Sequence, residues 1–191
     1  MNNTKGMLVV ISGPSGVGKG TVVNELMKKS GRMALSVSCT TRSPREGEVD
    51  GKSYFFLTKE TFEKMIAEGG FLEYSNHFDN YYGTPKFFVE EKLKTHDVIL
   101  EIEPDGALNA KKVYPDALLI MITPPSRQEL VARLRGRGTE DEEVIARRLA
   151  RADYEMSKAK DYDYVVINDK IDATVDEILN IIENARKGDK L

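Results

Sequence analysis

The chain has 191 residues, 31% of them charged and 40% hydrophobic, with a formal net charge of -3. That length suits one domain with its own core, and that charge balance gives no global basic field, so a nucleic-acid polymer is not an expected partner. The lone cysteine, Cys39, cannot form an internal disulfide, the N-terminus lacks a signal-like apolar stretch, and no apolar run nears the roughly 20 residues that span a bilayer. A soluble, cytoplasmic protein with no membrane partner is expected.

The first apolar run, Met7 to Ile11, predicts a buried strand, and a helical pattern follows from Lys19 to Lys29. Between them lies Ser12-Gly13-Pro14-Ser15-Gly16-Val17-Gly18-Lys19-Gly20-Thr21. Strand, glycine loop and helix in that order fit a phosphate-cradling loop, with backbone N–H groups and a helix N-terminus converging on an anion. Lys19, in the first turn of that helix, faces the positive end of its dipole and needs an anion to compensate. Gly20 stands where the general loop pattern has Ser or Thr.

The segment from Leu35 to Tyr82 differs in character and reads as inserted. Leu35 to Cys39 and Ser53 to Leu57 alternate like exposed antiparallel strands, and Thr58 caps a short helix to Glu68. Further buried strands are predicted at Asp97 to Ile102, Ala117 to Ile122 and Tyr164 to Ile167. Helical patterns run over Pro85 to Lys94, Gly106 to Val113, Gln128 to Leu134, Glu142 to Lys158 and Asp172 to Ala185. Ser126-x-x-Glu129 and Thr139-x-x-Glu142 fit capping boxes, and Arg135-Gly136-Arg137-Gly138 between them suggests a hinged basic flap. The alternation implies an α/β fold, a parallel sheet flanked by helices.

Several segments occur together and in order: Gly13 to Thr21, Ser38-Cys39-Thr40-Thr41-Arg42-x-x-Arg45-x-Gly47-Glu48, Gly51-Lys52-x-Tyr54, Phe71-Leu72-Glu73-Tyr74 and Asn80-Tyr81-Tyr82-Gly83-Thr84. With Arg135 to Glu140 and Val166-Ile167-Asn168-Asp169, they closely resemble guanylate kinase from about Gly6 to Arg186. The resemblance implies a P-loop NTPase-type sheet and transfer of the ATP γ-phosphoryl group to GMP, and to dGMP, with Mg2+. It also implies a single domain, 5–187, with a core (5–34, 85–130 and 155–187), a mixed-strand GMP-binding region (35–84) and a helical lid (about 131–154).

The resemblance assigns roles. Gly13, Pro14, Ser15, Gly16, Val17, Gly18, Lys19, Gly20 and Thr21 would hold ATP phosphates, with Asn168 near the adenine. Lys19, Arg137 and Arg148 would neutralise the transferring group, while Arg147 and Arg151 read as ion-paired residues on a solvated helix face. Arg42, Arg45, Tyr54 and Tyr82 would grip the GMP phosphate. Glu73 would accept from guanine N1–H and N2–H, with Ser38 and Thr84 near O6. Glu101 and Glu103 stand where the family usually carries aspartates, and Asp105 where it usually carries Gln; Glu101 would touch GMP or hold the metal through water, with no direct metal ligand expected. His77, His96 and Cys39 show no metal-ligand spacing.

A guanylate-kinase-like module that binds phosphopeptides without ATP chemistry is the rival reading, disfavoured by the intact Gly18-Lys19 and the basic lid. A kinase for another monophosphate is disfavoured by Glu73, Ser38 and Thr84. The state is either monomer or homo-oligomer.

Overall fold

Alternate residues of the first strand, β1 (Leu8–Ser12), face opposite sides of a sheet, and both sides are apolar. Val9 and Ile11 join one core and Leu8 and Val10 the other, which is why the strand reads as a continuous apolar run. This is a computed structural model that describes residues 5–77, 79–136 and 141–188.

The remaining elements follow in chain order: α1 (Lys19–Lys29), β2 (Met33–Leu35), β3 (Cys39–Thr40), β4 (Phe55–Phe56), α2 (Lys59–Ala67), β5 (Phe71–His77), β6 (Asn80–Pro85) and α3 (Lys86–Lys92). Then come β7 (Asp97–Glu101), α4 (Pro104–Val113), β8 (Leu118–Thr123), α5 (Arg127–Arg135), α6 (Glu142–Met156), a 3-10 turn (Ser157–Asp161), β9 (Tyr164–Ile167) and α7 (Ile171–Lys187).

A five-stranded sheet has the order β2-β7-β1-β8-β9, and each of its pairings is parallel. Helices α1 and α7 cover one face through Val22, Leu26, Val175 and Ile178, while α3 and α4 cover the other through Val89, Ala107 and Ala110. The loop after β1 therefore emerges at the carboxyl edge of the strands, where ligands gather in open α/β sheets. A second, four-stranded sheet has the order β4-β3-β6-β5 and packs Cys39, Phe62 and Phe71 against α2 in a separate small core.

Two differences from the sequence reading have physical causes. Leu35 to Cys39 is not one strand: Met33–Leu35 pairs with β7 in the parallel sheet, and the chain joins the second sheet only at Cys39. The second sheet is mixed, as expected, but β3 and β4, read as antiparallel strands, pair parallel, and it is β6 that runs antiparallel to both β3 and β5. Strands β5 and β6 had no clear apolar alternation, since they carry polar residues such as Glu73, Ser75, Asn76 and Asn80.

Helix starts follow their capping chemistry. Thr58 and Ser126 each accept a backbone N–H three residues on, from Thr61 and Glu129. Helix α4 begins at Pro104 rather than Gly106, since proline suits the first turn of a helix. Asp141, not Thr139, is the N-cap of α6, and Thr139 lies outside the described residues.

Candidate active site

The glycine loop needs its glycines for conformation and for space. Gly18 caps α1 at φ 97, a left-handed conformation, and Gly13 has φ 147. A Cβ at Gly13 would stand 2.1 Å from the Ile122 carbonyl oxygen of β8. Helix α1 has neither a side-chain cap nor an acidic residue in its first turn, so its leading N–H groups face the loop cavity.

Lys19 lies over the loop, its Nζ donating to the carbonyls of Gly13 at 2.5 Å and Pro14 at 3.3 Å. Burial lowers its pKa, opposed by the charges of Glu101, Glu155 and Glu103. An arriving phosphate would offer the ammonium a charged partner in place of two carbonyls. Arg148 of α6 reaches the same loop and donates to Ser15 Oγ at 3.1 Å.

Asn168 is buried beneath the loop rather than open to a base. Its Nδ2 donates to the Val17 carbonyl at 2.8 Å, and Thr174 donates to its Oδ1 at 3.2 Å. Arg133, which the sequence reading gave no role, donates to the Val17 and Asn168 carbonyls at 3.3 and 3.1 Å. Both side chains brace the loop from behind. The only advance signal for Arg133 was its place in the last turn of α5.

Across the cleft, Glu73 and Thr84 are register partners on β5 and β6. Thr84 Oγ1 donates to Glu73 Oε1 at 2.7 Å, and Glu73 is only 8% exposed. Gly106 at the start of α4 allows this approach, for a Cβ there would meet Glu73 Oε2 at 3.0 Å. Ser38, Tyr54, Glu73, Tyr82 and Glu101 line one cavity of about 610 Å³.

Arg42 is held by a residue that the motif contained but to which no role was assigned. Its two terminal nitrogens donate to the two carboxylate oxygens of Glu48 at 2.9 and 2.8 Å. Glu48 also accepts the Arg45 backbone N–H at 2.7 Å, and these bonds hold its carboxyl at about 2. The guanidinium lies 5.4 Å from the Tyr54 ring, which meets Tyr82 edge-on at 6.2 Å. Arg42, Tyr54 and Tyr82 are thus brought together, while Arg45 is exposed beside them.

The acidic end of β7 joins the two halves. Glu101 lines the 610 Å³ cavity and both smaller cavities of about 260 and 250 Å³ beside Lys19. Glu103 accepts from Arg151 at 3.2 Å, and Asp105 accepts from Tyr154 at 3.0 Å and faces Arg151 at 3.5 Å. Arg151, expected to be ion-paired on a solvated face, is exposed and does pair with Glu155 at 2.9 Å; it also lines the 610 Å³ cavity, and Glu155, 3% exposed, lines a Lys19 cavity. Burial raises the Glu155 carboxyl, with Arg151 opposing. Arg147 does pair with Glu143 on an exposed face, at 3.8 Å.

Arg137 lies outside the described residues. Among the described residues, no group of at least three His, Cys, Asp or Glu side chains could hold a metal, and no helix is long and apolar enough to cross a membrane.

The family model for guanylate kinase matches residues 5–185. A guanylate kinase of Clostridioides difficile is 50% identical over 95% of this chain and 89% of its own length. One from Streptococcus thermophilus is 51% identical over 94% of this chain and 87% of its own. Among solved structures, a guanylate kinase from Anaplasma phagocytophilum superposes with a TM-score of 0.74 at 34% identity, covering 97% of this chain and 88% of that one.

Proposed function

The chain belongs to the guanylate kinase family and so is a GMP-phosphorylating enzyme, and we propose that Gly13 to Thr21 holds the ATP polyphosphate while the Glu73 pocket holds GMP. Glu101 carries this reading, since it lines the Lys19 cavities and the Glu73 cavity alike. A donor phosphate above the loop and an acceptor phosphate near Arg42 would then meet across one carboxylate-bearing strand end.

Phosphoryl transfer needs in-line positioning and neutralised charge more than covalent help from the protein. The open amides of α1 and the Lys19 ammonium bind the donor phosphates. Arg148, already at Ser15, turns its guanidinium onto the transferring group, and Arg137 joins it from the lid at about 131–154. Arg42, Arg45, Tyr54 and Tyr82 fix the acceptor phosphate, so one of its oxygens faces the γ-phosphorus. Closure of the lid over the core and the 35–84 region of the single domain, 5–187, excludes water and spares ATP from hydrolysis.

Glu73 reads the base. Its carboxylate offers two acceptors to the adjacent N1–H and N2–H donors of guanine, and adenine has no such pair. Ser38 and Thr84 lie beside the O6 edge. None of these contacts uses the 2′-hydroxyl, so dGMP is also an acceptor.

Mg2+ brought with ATP neutralises phosphate charge. The residues fit it: Glu101 opens into the loop cavities, and Glu155 Oε2, buried in the wall of one, has no hydrogen-bond partner among the described residues. The lone thiol of Cys39 is buried and free, which suits a reducing cytoplasm.

The experiment is a coupled assay of ADP release. Lys19→Ala and Arg42→Ala should each lose most GMP-dependent turnover with unchanged circular dichroism. Normal turnover in both would overturn these roles.

A further inference from the structure

The cavity of about 610 Å³ has an acidic wall. It presents the carboxylates of Glu73, Glu101, Glu103 and Asp105, and Arg151 is the one cation among the described residues that line it. Arg42 approaches from beside Tyr54, 5.4 Å from its ring, and is already paired with Glu48. A monophosphate dianion entering such a cavity meets like charge, which weakens its binding unless a cation offsets the carboxylates.

Arg151 is held where that charge is needed. It shares one face of α6 and of the 3-10 turn that follows with Tyr154, Glu155 and Lys158, at spacings of three and four residues. Its Nε donates to Glu155 at 2.9 Å and its Nη2 to Glu103 at 3.2 Å, and Nη2 lies 3.5 Å from Asp105. Asp105 stands in the first turn of α4, where the helix dipole favours an acid. Its carboxylate also accepts from the Tyr154 hydroxyl at 3.0 Å and lies 3.8 Å from Lys158 Nζ. The Tyr154 ring completes the cluster, 5.2 Å from the Arg151 guanidinium and 4.9 Å from Lys158 Nζ. Asp105 thus adds negative charge to the cavity wall and gathers the cation that balances it.

We propose that Arg151 is a further binding residue of the acceptor pocket: its charge offsets the Asp105 carboxylate and stabilises the phosphate-bearing nucleotide, adding to the pocket's preference for the monophosphate over the uncharged nucleoside. This rests on the kinase reading above, which puts GMP in this cavity.

The test compares GMP with guanosine by isothermal titration calorimetry at low salt. Arg151→Gln keeps a side-chain N–H for Glu155 and removes the charge, so it should weaken GMP by about tenfold and guanosine by less than about twofold. Arg151→Lys keeps the charge and should stay within about threefold of the unsubstituted protein for GMP. Asp105→Asn added to Arg151→Gln removes one carboxylate along with the cation and should recover most of the lost GMP affinity. At about 0.5 M salt the gap between Arg151→Gln and the unsubstituted protein should shrink, because the charges involved are partly exposed.

Unchanged GMP affinity in Arg151→Gln would overturn the proposal. So would equal losses for GMP and guanosine, which would make Arg151 a structural part of the wall, or a double variant no better than Arg151→Gln. The kinase reading fails by a separate result, the absence of GMP-dependent ADP formation by the unsubstituted protein.

Discussion

Thr84 donates its hydroxyl to Glu73 at 2.7 Å across a strand pair, which fixes one carboxylate oxygen and aligns the plane of the other. In the proposed reading, a buried acid held this way would select for paired N–H donors in the base. Glu73→Gln would present an amide N–H to guanine's own donors, and GMP KM should rise by about 100-fold in steady-state assays. Thr84→Val keeps the shape and frees the carboxylate to turn, so a rise of about tenfold is expected.

In the proposed reading, Glu48 would act on the acceptor phosphate through Arg42, to which it is bonded. Its two bonds orient the guanidinium beside Tyr54, and the strong mutual preference for charge keeps both ionised at neutral pH. Glu48→Gln should raise GMP KM by about tenfold or more while kcat changes little and ATP KM stays unchanged. Equal effects on both substrates would instead indicate general loosening of the loop.

Arg151 and Glu155 pair along α6, and Arg151 also reaches Glu103 beyond the end of β7. Removing the arginine leaves Glu155 buried with neither oxygen paired, at a cost of about 2 kcal/mol once the half-exposed position of Arg151 is allowed for. Arg151→Ala should lower Tm by about 5 °C. Arg151→Met with Glu155→Leu should recover much of that loss, because the buried charge is gone.

How much of this was legible follows from what each residue does. The run from Leu8 through the glycine loop into α1 was readable because burial on both faces and the loop's backbone demands leave a local signature. Strands β5 and β6 hid because their inward positions include the buried polar residues Glu73 and Thr84. Helical spacing identified the pairing of exposed Arg151 with Glu155, but its further pairing with Glu103, beyond the end of β7, depends on tertiary packing that no local pattern encodes.

Cys39 gives a pH prediction. Its burial pushes the thiol up to about 12, from an ordinary 9.0. The unfolded chain therefore ionises first as pH rises past 9, and this group's contribution to stability falls between about pH 9 and 12 and is flat below. Alkylation by iodoacetamide at pH 8 should be negligible in the native protein and complete after denaturation. Rapid native labelling would contradict the burial of this core.

The central claim is that one cleft joins an ATP phosphate loop to a guanine-reading pocket. The direct measurement is ADP release from Mg–ATP with GMP, dGMP, AMP, UMP and CMP as acceptors. GMP and dGMP should turn over, and AMP should be disfavoured by a factor on the order of 10⁴ in kcat/KM, because its N1 is an acceptor that would oppose the Glu73 carboxylate and its C2 carries no N–H donor. AMP turnover equal to that of GMP would contradict the account.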